Sequence, residues 1–141
     1  MSDDTRRFTG GCLCGAVRYE ATGAPNFQGI CFCGDCRKAS GSSSILFMGF
    51  PASALRFSGE TKHSLAKSAR GTTAVRNHCV KCGSLVFGGI VGQDTAHTIY
   101  AGSLDDFTLF RPAMAIFVRD KPEWFALPPG VTAHHTMPGM S

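Results

Sequence analysis

The sequence predicts a mainly β protein whose loops are tied by metal. Three observations carry that expectation. Glycine is frequent and dispersed, 17 in 141 residues, as in short strands joined by turns. Apolar residues recur in short alternating or continuous runs, and helical periodicity is scarce. Seven cysteines fall into three tight groups, the spacing of ligands rather than of core residues.

The elements follow in chain order. Residues 16–20 alternate apolar and polar, as in a half-buried strand. Residues 27–32 form a second strand. Residues 45–50 are continuously apolar, which predicts a strand covered on both faces. Residues 72–78, 85–91, 96–101 and 114–118 complete the expected strands. Residues 33–40 suit one or two helical turns after a metal knuckle, and residues 53–57 a second short helix. Ser103-Leu104-Asp105-Asp106 has capping-box spacing and predicts a helical turn beginning at Ser103. The stretch from Pro128 to Ser141 carries prolines and glycines without a core pattern, so it is expected to be loosely held or packed on a neighbour. No repeat, linker or low-complexity tract divides residues 1–141, and that length suits one domain.

Composition narrows the function. Hydrophobic residues at 43% and charged residues at 17% support a packed core. No apolar run approaches ~18 residues, so no membrane span is expected. Met1-Ser2-Asp3-Asp4 is followed by no apolar run of signal-peptide type, so a cytoplasmic location with reduced thiols is expected. The formal charge is +4, and no basic run exceeds two residues (Arg6-Arg7 and Arg37-Lys38), which argues against a nucleic-acid partner. A tetrathiolate zinc site adds about −2 and a trithiolate site about −1, which brings the loaded chain near +1.

The cysteines form Cys12-Leu13-Cys14, Cys31-Phe32-Cys33-Gly34-Asp35-Cys36 and Cys79-Val80-Lys81-Cys82-Gly83. Residues two apart on an extended strand share a face, so Cys12 and Cys14 can present paired sulfurs. A C-x-x-C turn does the same, and the glycine after it permits the left-handed conformation. Structural zinc takes four ligands; catalytic zinc takes three and keeps one position open. Seven therefore divides as four plus three, with Cys12, Cys14, Cys79 and Cys82 closing one site and Cys31, Cys33 and Cys36 leaving another open. Spacing alone also allows the central trio to recruit a further cysteine or His78. Disulfides are disfavoured by the odd count.

These motifs, in this order, resemble the glutathione-dependent formaldehyde-activating enzyme family, which includes centromere protein V. The resemblance covers Gly10 to Tyr19, Cys31 to Ser42, His78 to Ser84, Ala101 to Asp106 and Trp124, most of the chain. It implies a β-tent, Mss4-like fold. It also implies two zinc ions per chain, a structural one on Cys12, Cys14, Cys79 and Cys82 and a catalytic one on Cys31, Cys33 and Cys36. The implied activity is a carbon–sulfur lyase reaction that joins a glutathione-type thiol to formaldehyde as S-hydroxymethylglutathione. Three positions depart from the family pattern. Phe32 replaces a frequent histidine or asparagine, His78 a frequent aromatic residue, and Ala115 a frequent histidine.

The expected chemistry is attack of a thiolate on an aldehyde carbonyl. Zinc deprotonates a bound thiol or polarises the aldehyde oxygen. Three thiolates weaken zinc as a Lewis acid, and Arg37 and Lys38 are placed to offset that charge and to receive substrate carboxylates. Ser40 is a candidate hydrogen-bond donor to substrate, with cap duty as its competing role. Phe32, inside the metal loop, is a candidate pocket residue. His63, His97, His134 and His135 lack ligand spacing and are expected to be surface or satisfied polar groups. A glutathione or thiol-adduct binding protein without catalysis, and a zinc-ribbon-like interaction module, are the competing readings.

Overall fold

The computed structural model describes residues 5–69 and 71–139. Among them lie eleven strands, one α-helix and four 3-10 turns, a mainly β protein as the sequence predicts. The strands are β1 (Arg7–Gly11), β2 (Arg18–Thr22), β3 (Phe27–Cys31), β4 (Ile45–Pro51), β5 (Leu55–Ser58), β6 (Thr61–Lys67), β7 (Thr73–Cys79), β8 (Leu85–Gly88), β9 (Ala96–Tyr100), β10 (Met114–Ile116) and β11 (Thr132–Ala133). The helix α1 spans Gly34–Ser40.

The strands build two sheets. One has the order β1-β2-β5, the other β11-β10-β3-β4-β9-β8-β7-β6. The pairings are antiparallel except at one end of the larger sheet, where β10 runs parallel to both β3 and β11.

The small sheet packs on one face of the large one. Phe8, Tyr19 and Leu55 from the small sheet meet Met48, Phe50, Val86, Phe87 and Ile99 from the large sheet in the main core. Burying each such side chain contributes roughly 1.5–3 kcal/mol. Strand alternation sends the intervening residues of β4 to the other face, where Ile45 and Phe47 join Cys31, Cys33, Ile116 and Phe117. That two-sided burial explains why residues 45–50 are continuously apolar.

Several expectations change. Residues 53–57 are not helical. A 3-10 turn at Ala52–Ala54 leads into β5, because Leu55 is buried and Phe57 stacks on Phe87 at 4.1 Å once β5 pairs with β2. No helix starts at Ser103 either. A 3-10 turn at Ala101–Ser103 ends there, and the Ser103 hydroxyl donates to the Tyr100 carbonyl at 2.7 Å and shares a 2.8 Å hydrogen bond with the Tyr19 hydroxyl. The next 3-10 turn, Phe107–Leu109, is capped by Asp106 instead. The segment after Pro128 is held by its own chain: β11 pairs with β10, the His134 N–H donates to the Ala115 carbonyl at 2.8 Å, and the Phe117 N–H donates to the Thr136 carbonyl at 3.0 Å.

Among the described residues, no helix is long and apolar enough to cross a membrane.

Candidate metal centres and an adjoining cleft

The seven cysteines are free thiols and gather into two clusters, Cys12/Cys14/Cys79/Cys82 and Cys31/Cys33/Cys36, with the sulfurs of each within 4.8 Å of one another. No histidine joins either cluster among the described residues, so His78 is outside both.

The tetrad ties two turns together. Cys12 and Cys14 sit just beyond β1 in a turn closed by the Gly15 N–H on the Cys12 carbonyl at 3.2 Å. Their sulfurs lie 3.6 Å apart, so the turn, rather than the extended strand predicted from spacing, pairs them. Cys79 ends β7, and Cys82 lies in the turn to β8. Gly83 takes the left-handed conformation, φ 76°, that this turn requires, and its N–H donates to the Cys79 carbonyl at 2.9 Å. The Cys12 sulfur accepts the Val17 N–H at 3.2 Å, and the Cys79 sulfur accepts the N–H groups of Lys81 and Cys82 at 3.4 and 3.5 Å. Cys14 and Cys79 sulfurs are 3.7 Å apart. Four sulfurs at about 2.3 Å from one zinc lie about 3.8 Å apart, so the donor set and its spacing fit a tetrahedral thiolate site.

The tetrad thiols are electrically unequal. The Val17 N–H lowers the Cys12 thiol. The Ser84 hydroxyl and backbone, with the Cys14 backbone, draw Cys82 down to about 5. Cys14 gains from the Ala16 N–H, yet its hydrogen bond with Cys12, burial and Cys79 push it up to about 11.

The trio is built at the end of β3 and the start of α1. Cys31 closes the strand, Cys33 is the helix N-cap with its sulfur accepting the Cys36 N–H at 3.3 Å, and Cys36 stands in the first turn. Gly41, left-handed at φ 66°, ends the helix with its N–H on the Arg37 carbonyl. Hydrogen bonds from Cys31 and Cys36 stabilise the Cys33 thiolate, lowering it to about 2. The same contacts with Cys33 and Cys36, then burial, raise Cys31 far above its ordinary range. Cys36 is pulled down by Cys31 but is raised more by Cys33 and burial, to about 11. Among themselves the sulfurs thus share one negative charge centred on Cys33. Three soft donors on two adjoining turns suit zinc, with room for a fourth ligand.

That room is a cleft of about 540 Å³ on the face of the large sheet opposite the small one. Cys31, Cys33 and Cys36 line it, with Phe47, Thr98 and Tyr100 on the sheet. Met137 and Pro138 close one side, so the segment after Pro128 forms a wall of the site.

The other sequence candidates are placed elsewhere. Arg37 and Lys38 are exposed on α1 and do not line the cleft, because the helix turns them to solvent. Ser40 lies outside it too. Its hydroxyl donates to the Cys36 carbonyl at 2.8 Å and accepts the Ser42 N–H at 3.2 Å, which is cap duty. Phe32 does not line the cleft. It is 1% exposed and packs with Ile30, Ala115 and Phe125 on the opposite face, its ring edge-on to Phe125 at 4.8 Å. The strand pleat decides this, since Cys31 and Cys33 point one way and Phe32 the other. Two departures from the family pattern, Phe32 and Ala115, therefore share one apolar cluster away from the thiols. His97 is buried with its Nδ1 3.0 Å from the Gly88 carbonyl, a satisfied polar group.

Of the cleft residues that the sequence reading did not name as candidates, Thr98 and Tyr100 among them, one is a buried cation. Arg76 is buried in β7 and lines the cleft. An arginine within a strand reads as a solvent-facing residue; only the sheet order shows that its strand edges a site.

No curated protein sequence matches the chain. A crystal structure of a Rhodobacter sphaeroides protein, a structural-genomics target, is similar at 24% identity and a TM-score of 0.50, covering 69% of this chain and 87% of that one. At that identity the likeness speaks to the fold alone. The model of the glutathione-dependent formaldehyde-activating enzyme family matches residues 7–120, most of the chain and both cysteine clusters. The chain belongs to the glutathione-dependent formaldehyde-activating enzyme family.

Proposed function

We propose that the protein is a zinc-dependent carbon–sulfur lyase that interconverts a glutathione-type thiol plus a small aldehyde with their S-hydroxymethyl adduct. The single observation that carries this reading is the asymmetry of the clusters. The trio opens into a cleft large enough for a tripeptide-sized thiol, whereas no tetrad sulfur lines it. Cys12, Cys14, Cys79 and Cys82 hold a structural zinc, and Cys31, Cys33 and Cys36 hold the reactive one. A zinc ion on the trio supplies deprotonation of a substrate thiol or polarisation of an aldehyde carbonyl.

The chain's own part is placement. α1 and β3 fix the three sulfurs on adjoining turns, so little reorganisation accompanies substrate entry. Phe47, Ile116 and Phe117 give the cleft apolar walls that exclude water around the thiol. Thr98 and Tyr100 place hydroxyl groups on the sheet side, where the peptide portion of a thiol finds partners.

Exchange kinetics of glutathione with formaldehyde test the reading. The protein is expected to accelerate exchange over the uncatalysed background, and Cys33→Ser to abolish the acceleration while staying folded. Equal rates for the two proteins would remove catalysis and leave a thiol-adduct binding protein.

A further inference from the structure

The placement just described leaves one buried charge without a task. Arg76 is 7% exposed in the middle of β7, and it lines the same cleft as the three thiols. A guanidinium is a planar fork of five N–H donors with no acceptor. The ion pairs between described side chains engage Arg7, Arg18 and Arg119. Among the described residues Arg76 has neither a carboxylate nor a side-chain hydrogen-bond partner, while no fully enclosed polar side-chain atom lacks one. Its unpartnered nitrogens are therefore not fully enclosed, and the residue lines the cleft. Burying a cation is costly unless an anion meets it.

The surroundings say which anion. Asp94, the carboxylate among the cleft's described lining residues, is exposed and accepts the Ile90 N–H at 2.6 Å. Arg76 lines the cleft together with Cys31, Cys33 and Cys36, so the cation and the sulfurs face one ligand space. A cleft of about 540 Å³ far exceeds a one-carbon aldehyde, so most of it serves the thiol partner. Thr98 and Tyr100 add neutral polar groups, and among the described residues Arg76 is the cation that lines the cleft.

We propose that Arg76 binds a carboxylate of the thiol substrate and so selects acidic, peptide-like thiols for the trio. This rests on the thiol-and-aldehyde reading above. A desolvated guanidinium holds a carboxylate by two parallel charge-assisted hydrogen bonds. Arg37 and Lys38 on the exposed face of α1 are hydrated, and contacts of that kind contribute little.

Binding of glutathione and of its neutral-carboxyl diester to the zinc-loaded full chain, measured by calorimetric titration, tests this separately from turnover. Wild type is expected to favour the acid over the diester by about 10-fold or more, the worth of a charged hydrogen bond. Arg76→Met is expected to weaken glutathione by about 10- to 100-fold and to leave the diester within about twofold. Arg76→Lys is expected to restore part of the preference. Both variants keep wild-type zinc content, which also reports that they fold. Equal affinity of wild type for acid and diester overturns the proposal without any variant. So does parallel weakening of both ligands in Arg76→Met, absence of glutathione binding, or loss of the trio's zinc, which would make Arg76 a partner of the sulfurs alone. An acid preference in a protein that does not accelerate exchange would sustain the Arg76 proposal and defeat the lyase reading.

Discussion

At Cys31, Cys33 and Cys36 three chemically identical side chains are made unequal by a few ångströms of backbone. Cys33 is held as thiolate, and Cys31 and Cys36 keep their protons at neutral pH, Cys36 with a value of about 11. A metal ion entering the trio must displace those two protons. Acid therefore opposes binding and alkali favours it. Apparent zinc affinity at the trio is expected to rise by about 100-fold per pH unit between about pH 6 and 8, two protons per ion. Competition titration with a chelating dye across that range checks it; a flat profile would mean the thiols are already ionised. Phe32 makes the opposite kind of point. Its neighbours in sequence are ligands, yet its ring is core. Phe32→Ala is expected to cost about 3–5 kcal/mol in denaturant unfolding. The KM for glutathione should stay near wild type, since the ring is on the far face of the sheet. The ligand grouping was legible because cysteine spacing is a local signal. The sides taken by Phe32 and Arg76 were not, because they depend on pleat and sheet order.

At the scale of elements, strands with an internal pattern were legible and strands defined by their partners were not. β4 announces itself by six apolar residues, buried on two faces. β6 is nearly all exposed and exists because β7 pairs with it along its length. β5 follows a turn that looks helical in sequence, and its identity comes from pairing with β2. β11 has two residues and no pattern of its own; parallel pairing to β10 carries Met137 and Pro138 to the cleft. Removing the chain from Thr132 onward is therefore expected to raise the KM for glutathione severalfold while both metal sites stay loaded. Steady-state kinetics with zinc analysis of the truncated protein decide this. Unchanged KM would show that the wall is dispensable.

For the whole molecule, two sheets and two thiol clusters divide the work. The tetrad joins the turn after β1 to the turn between β7 and β8, bridging the small sheet to the large one across more than sixty residues. The trio belongs to one short stretch of the large sheet's cleft face. A metal that clamps distant segments supplies folding energy, whereas one on a local loop does not have to. Zinc content per chain of purified wild type and its Cys33→Ser form, each checked for cooperative thermal unfolding, tests this division most directly. The account predicts two zinc ions in wild type, one in Cys33→Ser, and unfolding transitions close together. Fewer than one zinc in wild type, or loss of both zinc and cooperative unfolding in Cys33→Ser, would contradict it.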